Sequence, residues 1–372
     1  MMRLATDRPL LAPLSVAAAG LLLCVAALFL DARAVFAGWL TAALFTLGLP
    51  LGAMSILMIH GLTGGRWGEA MRPPLRAMIT TLPLALILLL PLLARPDFIF
   101  PWAVPDTAGL PETVRLKLAY LNIPFFVVRF AIYAAIWLVL ARFILKGTEE
   151  TTRLDGRMSA LGLVVHGFAI AVFSTDWMLS LEPQFTSTIY ALQEAAAEIV
   201  GASALTLLVL AATRSIETMP GGDERTALGE DVANMLFGFM LVWAYLAFMQ
   251  WVIVWAGDLP DDIGWYILRS EKGWQYALLL LILLQFVIPF AGSINRSVKR
   301  SHRGLLWLSA VTFAGHFADV LWRIRPPLAA DAAAWPDLAT LAAVGGLWLA
   351  GFLFARAHPQ SLLLFRRRAA DG

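Results

Sequence analysis

Ten separate stretches of this chain are each apolar over roughly 20 residues, the length a helix needs to cross a bilayer. They run Leu10–Leu30, Gly38–Gly61, Arg76–Ala94, Leu118–Leu145, Arg157–Ser180, Thr186–Ala212, Asp231–Ala256, Gly273–Ile294, Gly304–Arg323 and Pro336–Ala355. Buried in hydrocarbon, a backbone must satisfy its own hydrogen bonds, and at this spacing the solution is a helix. Composition agrees: 60% of the 372 residues are hydrophobic and 15% charged, outside the range of soluble domains. The expected fold is therefore all-α and integral to a membrane, a single polytopic domain over residues 1–372. No linker is long enough for a soluble domain, and breakers such as Thr63-Gly64-Gly65, Pro73-Pro74 and Pro220-Gly221-Gly222 separate the spans. The first run is long for a signal peptide and lacks a small-residue cleavage site before Asp31, so it reads as a retained helix.

An even number of spans puts both termini on one side. Nineteen Lys and Arg residues fall on that side (among them Arg3, Arg66, Arg153, Arg300 and Arg366 to Arg368) and eight on the other (Arg33, Arg95, Arg115, Lys117, Arg269, Lys272, Arg323, Arg325). By the positive-inside tendency both termini are expected in the cytoplasm, in a bacterial inner membrane. The far side then carries loops Phe98–Glu112 and Gly257–Lys272, rich in Trp and Asp. They read equally as a dock for a cationic partner or as a wet rim. Cys24 is the sole cysteine, which excludes an internal disulfide and any Cys-ligated zinc or iron–sulfur centre within the chain. No phosphate-binding loop, dinucleotide fingerprint or nucleic-acid motif is present, and no metal site is expected.

Function is expected where ionisable side chains enter the spans, since each is costly there if unpaired. Between the fifth and sixth spans lies VFSTDWMLSLEPQFTSTIY, Val172 to Tyr190, a corner with almost no polar spacer but with Asp176, Glu182, Ser187 and Tyr190. Its plain reading is an interfacial turn, broken by Pro183 and capped by Ser187. Deeper lie Arg129 in the fourth span, His166 in the fifth, Glu194 and Glu198 in the sixth, and His316, Asp319 and Arg323 in the ninth. Tyr190, Glu194 and Glu198 share one helical face, as do His316, Asp319 and Arg323. The spacing leads us to expect one convergent cluster in which these acids and imidazoles surround Arg129. Such a cluster suits a proton path or a quinone headgroup; the alternative is a static salt-bridge network that only fixes packing, though several carboxylates for one arginine exceed what pairing needs. His166 and His316 are too far apart in depth to make a haem pair attractive, and His60, at a helix end, reads as a cap.

Four motifs in order add a resemblance: His60-Gly-Leu-Thr-Gly-Gly-Arg-Trp-Gly68; Tyr120-Leu-Asn-Ile-Pro124 through Arg129; Asp176-Trp-Met-Leu-Ser-Leu-Glu182-Pro183 through Tyr190; and Trp243-Ala-Tyr245, Gln250, Gly257-Asp-Leu-Pro260 with Trp265-Tyr266. Together they resemble the NrfD-like (PsrC-like) integral membrane family, most of all the ActF-type subunits of Alternative Complex III, from about Gly38 to Trp348. The resemblance implies two four-helix bundles, helices two to five (about 38–180) and six to nine (about 186–323), flanked by helices one and ten. It implies a subunit without redox centres that touches quinone or quinol and conducts protons. Its partners would be an iron–sulfur subunit, c-type haem subunits and a sister NrfD-like subunit. His60, Arg129, Asp176 and Glu182 match motif positions, Asp319 with Trp322 more weakly. Glu194 and Glu198 depart from the family pattern, so a stand-alone relative with its own proton path stays open. A proton-coupled transporter and a structural anchor for partners stay open beside it.

Overall fold

The computed structural model describes residues 4–106, 108–150, 153–215, 222–328 and 335–359. Among them it contains helices and turns and no strand, and ten helices are long and apolar enough to cross a membrane. The chain is an all-α, multi-pass membrane protein. We label the spans α1 (Leu10–Leu28), α2 (Ala32–Thr63), α3 (Arg66–Ala94), α4 (Ile123–Glu149), α5 (Gly156–Leu181), α6 (Tyr190–Ala212), α7 (Leu228–Gly257), α8 (Trp274–Ile294), α9 (His302–Ile324) and α10 (Trp335–Ala357). The charges on residues 1–3 and 360–372 that enter the orientation argument lie outside the described residues.

Local chemistry sets several boundaries differently from the apolar runs. Helix α2 begins at Ala32 because Asp31 accepts the Ala34 amide at 3.0 Å, a side-chain N-cap. Helix α4 begins at Ile123 because the Asn122 side chain accepts the Phe125 amide at 3.0 Å, with Pro124 at a position that needs no donor. Pro73 and Pro74, expected as a break, lie inside a helix running from Arg66 to Thr80. Proline's fixed φ is itself helical, so the cost is the lost hydrogen bonds rather than the helical path. Beyond Thr80, α3 loosens into a short helix and a 3₁₀ turn, and the Trp39 indole donates to the Leu88 carbonyl there at 2.7 Å. Helix α8 carries a π-helical turn over Ile282–Val287.

Burial shows which helices lie inside. In α2 94% of the most apolar window is buried and in α6 72%, against 22% in α7 and 28% in α8. Helix α2 packs against α3, α5, α6 and α10, while α6 packs against α2, α5, α7 and α9. Helix α4 packs on α3 and α5, helix α8 on α7 and α9, and α1 lies along α10. The α2–α6 contact is the spine of the molecule. It is close because Gly52 of α2 sits against the Glu198 backbone, where an added Cβ would be 2.0 Å from the Glu198 carbonyl oxygen.

Candidate functional site

The buried ionisable groups form two centres, one around each of two arginines. The expected single cluster around Arg129 is therefore corrected. In the first centre Arg129 Nε lies 3.0 Å from both Asp176 oxygens and Nη2 lies 2.8 Å from Oδ1. Its Nη1 donates to the Tyr120 carbonyl at 2.8 Å, and the guanidinium stands over the rings of Tyr120 and Phe125, 3.7 and 4.4 Å from their centroids. Asp176 arrives in the last turn of α5, fully buried, and Ser180 donates to its backbone carbonyl. Next to it the Trp177 indole donates to the Tyr133 hydroxyl at 2.6 Å, within a packed group of aromatic rings. Burial, aided by the Asp176 charge, pushes the Tyr120 hydroxyl up to about 12. Every donor of this centre that reaches Asp176 is fixed, so it is a tight charge pair with no spare acid.

The second centre has spare acid. Arg323 of α9 donates Nη2 to Asp319 at 2.9 Å and Nη1 to Glu194 of α6, and the guanidinium carbon lies 5.8 Å from the Tyr190 ring centre. Asp319 Oδ1 is not engaged by Arg323, and the carboxyl lies toward the Trp243 indole. One turn further along α6, Glu198 is 1% exposed and neither carboxylate oxygen is hydrogen-bonded. His316 of α9 is likewise buried with both ring nitrogens unpartnered. Both side chains lie against Gly48 of α2: a Cβ there would be 3.3 Å from Glu198 Cγ and 4.0 Å from His316 Nε2. Packed at Gly315 of α9, Gln285 on the π-helical turn of α8 is fully buried with its amide oxygen and nitrogen unpartnered. Native interiors leave few such groups unsatisfied, and here several occur together on α6, α8 and α9.

His166 joins neither centre. It is ten residues before Asp176, about 15 Å along α5, and it packs with Trp137 at 6.3 Å between ring centres. His60 closes the turn after α2, with Nε2 3.0 Å from the Gly65 carbonyl and the ring edge-on to Trp67. Among the described residues no three His, Cys, Asp or Glu side chains gather as a metal site.

The Val172–Tyr190 corner proves to be a fastened turn. Ser187 accepts the Tyr190 amide at 3.0 Å, as a cap should, and donates to Gln250 of α7. Lys117 donates to the Pro183 carbonyl at 2.6 Å, and Asp262 accepts the Thr186 amide at 3.1 Å. Glu182 pairs at 2.6 Å with Arg269, which also donates to the Arg323 carbonyl at 2.7 Å and lies 3.6 Å over Trp265. Burial raises the Glu182 carboxyl and lowers the Arg269 guanidinium, each against the attraction between them. Arg269 is 1% exposed, and Arg323 and Arg325 are as deeply buried, so these three are structural cations rather than free loop charges.

Gln285 and the α7–α8 cavity were not singled out from the sequence, where Arg269 entered only as a far-side charge and Trp243 only as part of a motif. That cavity, about 700 Å³, is walled by aromatic side chains including Trp243, Tyr245, Trp251, Tyr266 and Phe286, and Asp319 is its one carboxylate among the described lining residues. Tyr245 and Phe248 on its rim are 61% and 57% exposed, so the cavity opens sideways to where lipid would lie. One signal was present in the chain: Asp176 and Asp319 each precede a proline by seven residues, Pro183 and Pro326, and each faces an arginine. A search with models of known protein families finds none that matches the chain, and a comparison with curated proteins finds no match.

Proposed function

We propose that this chain is a membrane subunit that takes an amphiphilic quinone or quinol into the α7–α8 cavity and passes protons from it through the second arginine centre. The observation carrying the reading is Asp319. It stands in the wall of a lipid-open aromatic cavity of about 700 Å³, within the range that holds a small organic ligand, and Arg323 engages only its Oδ2. Behind it Arg323 joins Asp319 to Glu194, and Glu198 and His316 continue inward without fixed partners. A proton relay needs side chains that can gain and lose a proton without losing an obligatory bond, and Glu198 and His316 qualify. The Arg129–Asp176 pair, fully engaged, serves as a structural anchor beside it. Electron transfer then belongs to partners, and the motif resemblance makes iron–sulfur and c-haem subunits and a sister NrfD-like chain the candidates. Both termini would face the cytoplasm, and the cavity would open toward the far side of a bacterial inner membrane.

The test is photo-crosslinking of the protein in its native membrane with an azido-quinone. Labelled peptides should come from α7 and α8, excess unlabelled quinol should suppress them, and Asp319→Asn should weaken them. Labelling elsewhere, or labelling indifferent to competitor, would refute the assignment. A second reading, a proton-coupled secondary transporter, draws on the π-helical turn of α8 beside unpartnered Gln285, a helix irregularity of the kind transporters use. Solute-driven proton uptake by the purified chain alone in vesicles would favour it.

A further inference from the structure

A second cavity, about 390 Å³, lies at the end of α7 and shares Trp251 and Tyr266 with the larger one. Its remaining walls are Val254, Trp255, Asp258 and Ile263. Trp251 and Trp255 are stacked 5.9 Å apart and only 10° from parallel, and Phe248 continues the stack at 6.0 Å. These rings are not packed away: Trp251 is 43% exposed and Trp255 68%. Asp258 follows the last helical residue and adopts a left-handed backbone, φ 49°, which is unfavourable for a residue with a Cβ. Its side chain is exposed, with no bonded partner among the described residues. A carboxylate beside aromatic faces is the chemistry that selects an organic ammonium ion, since ring quadrupole and charge both attract it.

We propose that this recess holds the ammonium headgroup of a zwitterionic phospholipid, with an acyl chain lying along the exposed Phe248–Tyr245 face toward the larger cavity. Three observations choose a lipid over a soluble amine or a partner's lysine. The recess sits at the terminus of a membrane span, at the depth where headgroups lie. The aromatic stack leading away from it runs down the lipid-exposed side of α7. And the recess adjoins the larger, mostly apolar cavity, with Trp251 and Tyr266 lining both. The bound lipid would stand at the mouth of the α7–α8 cavity. This inference does not depend on what that cavity takes.

The experiment is native mass spectrometry of the delipidated full chain in detergent, titrated with phosphatidylethanolamine, phosphatidylcholine and phosphatidylglycerol of identical acyl chains. The two ammonium lipids should bind about tenfold more tightly than phosphatidylglycerol, as a cation–π contact plus a carboxylate would give. Asp258→Asn should erase most of that preference, and Trp255→Ala should reduce binding of both ammonium lipids by about fivefold. Both positions are exposed, so folding is not at stake, and unchanged thermal unfolding would verify this. Equal affinity for the three lipids, or a preference untouched by Asp258→Asn, would overturn the proposal. So would binding of free ethanolamine that matches the lipid's, since the site would then recognise the amine alone.

Discussion

Replacing Asp176 by Asn is the sharpest probe of the first arginine centre. Asp176 is fully buried and Arg129 is 6% exposed, and the carboxylate takes three N–H contacts between 2.8 and 3.0 Å. The amide keeps the shape but presents one N–H₂ group to guanidinium donors, so part of the fork loses its acceptor and a buried cation loses its counter-charge. Breaking one partner of such a pair costs about 3–5 kcal/mol. At about 2 °C per kcal/mol for a chain of this size, the melting midpoint should fall by on the order of 6–10 °C. The retained Tyr120 carbonyl and the ring faces over the guanidinium place the expectation at the lower end. Removing both charges together, Arg129→Met with Asp176→Leu, should recover stability to within about 1 kcal/mol, because a well-packed apolar pair often equals a buried ion pair. The assay is thermal unfolding of the detergent-solubilised full chain, read by loss of the monodisperse fraction. A midpoint for Asp176→Asn within 1–2 °C of the parent, roughly the effect of under 1 kcal/mol, would refute the claim that the charge is dry and singly compensated. A double variant as unstable as the single one would refute the claim that charge rather than shape is what the site lacks.

Gly201→Ala should cost about 1–3 kcal/mol, the usual overpacking penalty, because its Cβ would come within 2.3 Å of the His316 ring. Adding His316→Ala should return most of it in the same melting assay, and failure to do so would place the strain elsewhere. Glu182 gives a pH signature. Burial holds its carboxyl above the ordinary 4.5, so the folded chain binds that proton more tightly than the unfolded one. The stabilisation is complete below pH 4.5 and is lost as pH rises through the folded value. The melting difference between parent and Glu182→Gln should therefore shift against the parent as pH is raised from 4 toward 7, by reference to that 4.5 value. A shift in the parent's favour would mean that the Arg269 pair outweighs burial.

Sequence patterning made the membrane class, the ten spans and the identity of most buried charges legible, because each follows from one helix at a time. An apolar run of bilayer length commits its backbone to a helix wherever it sits, and an arginine or glutamate inside such a run is visible without its neighbours. The Ser187 cap and the Pro183 break were equally local. Boundary shifts came from caps just outside the runs, Asp31 and Asn122, and from prolines a helix could absorb.

Partner choice was not legible. Helical periodicity places Glu194 and Asp319 on a face but leaves open which helix that face meets, or at what depth. Asp319 meets Arg323 within α9 itself, four residues away, but only the packing of α6 on α9 gave Glu194 to the same guanidinium, and only the fold of α4 on α5 kept Asp176 for Arg129. Arg269 read as a loop charge until the corner folded over it, and Gln285 read as one polar residue in an apolar helix until its turn became π-helical. The cavity between α7 and α8 belongs to neither helix. Electrostatic pairing and enclosed space depend on the azimuth and offset between helices, quantities fixed by packing many side chains at once, whereas the choice to span a membrane depends on length and polarity alone.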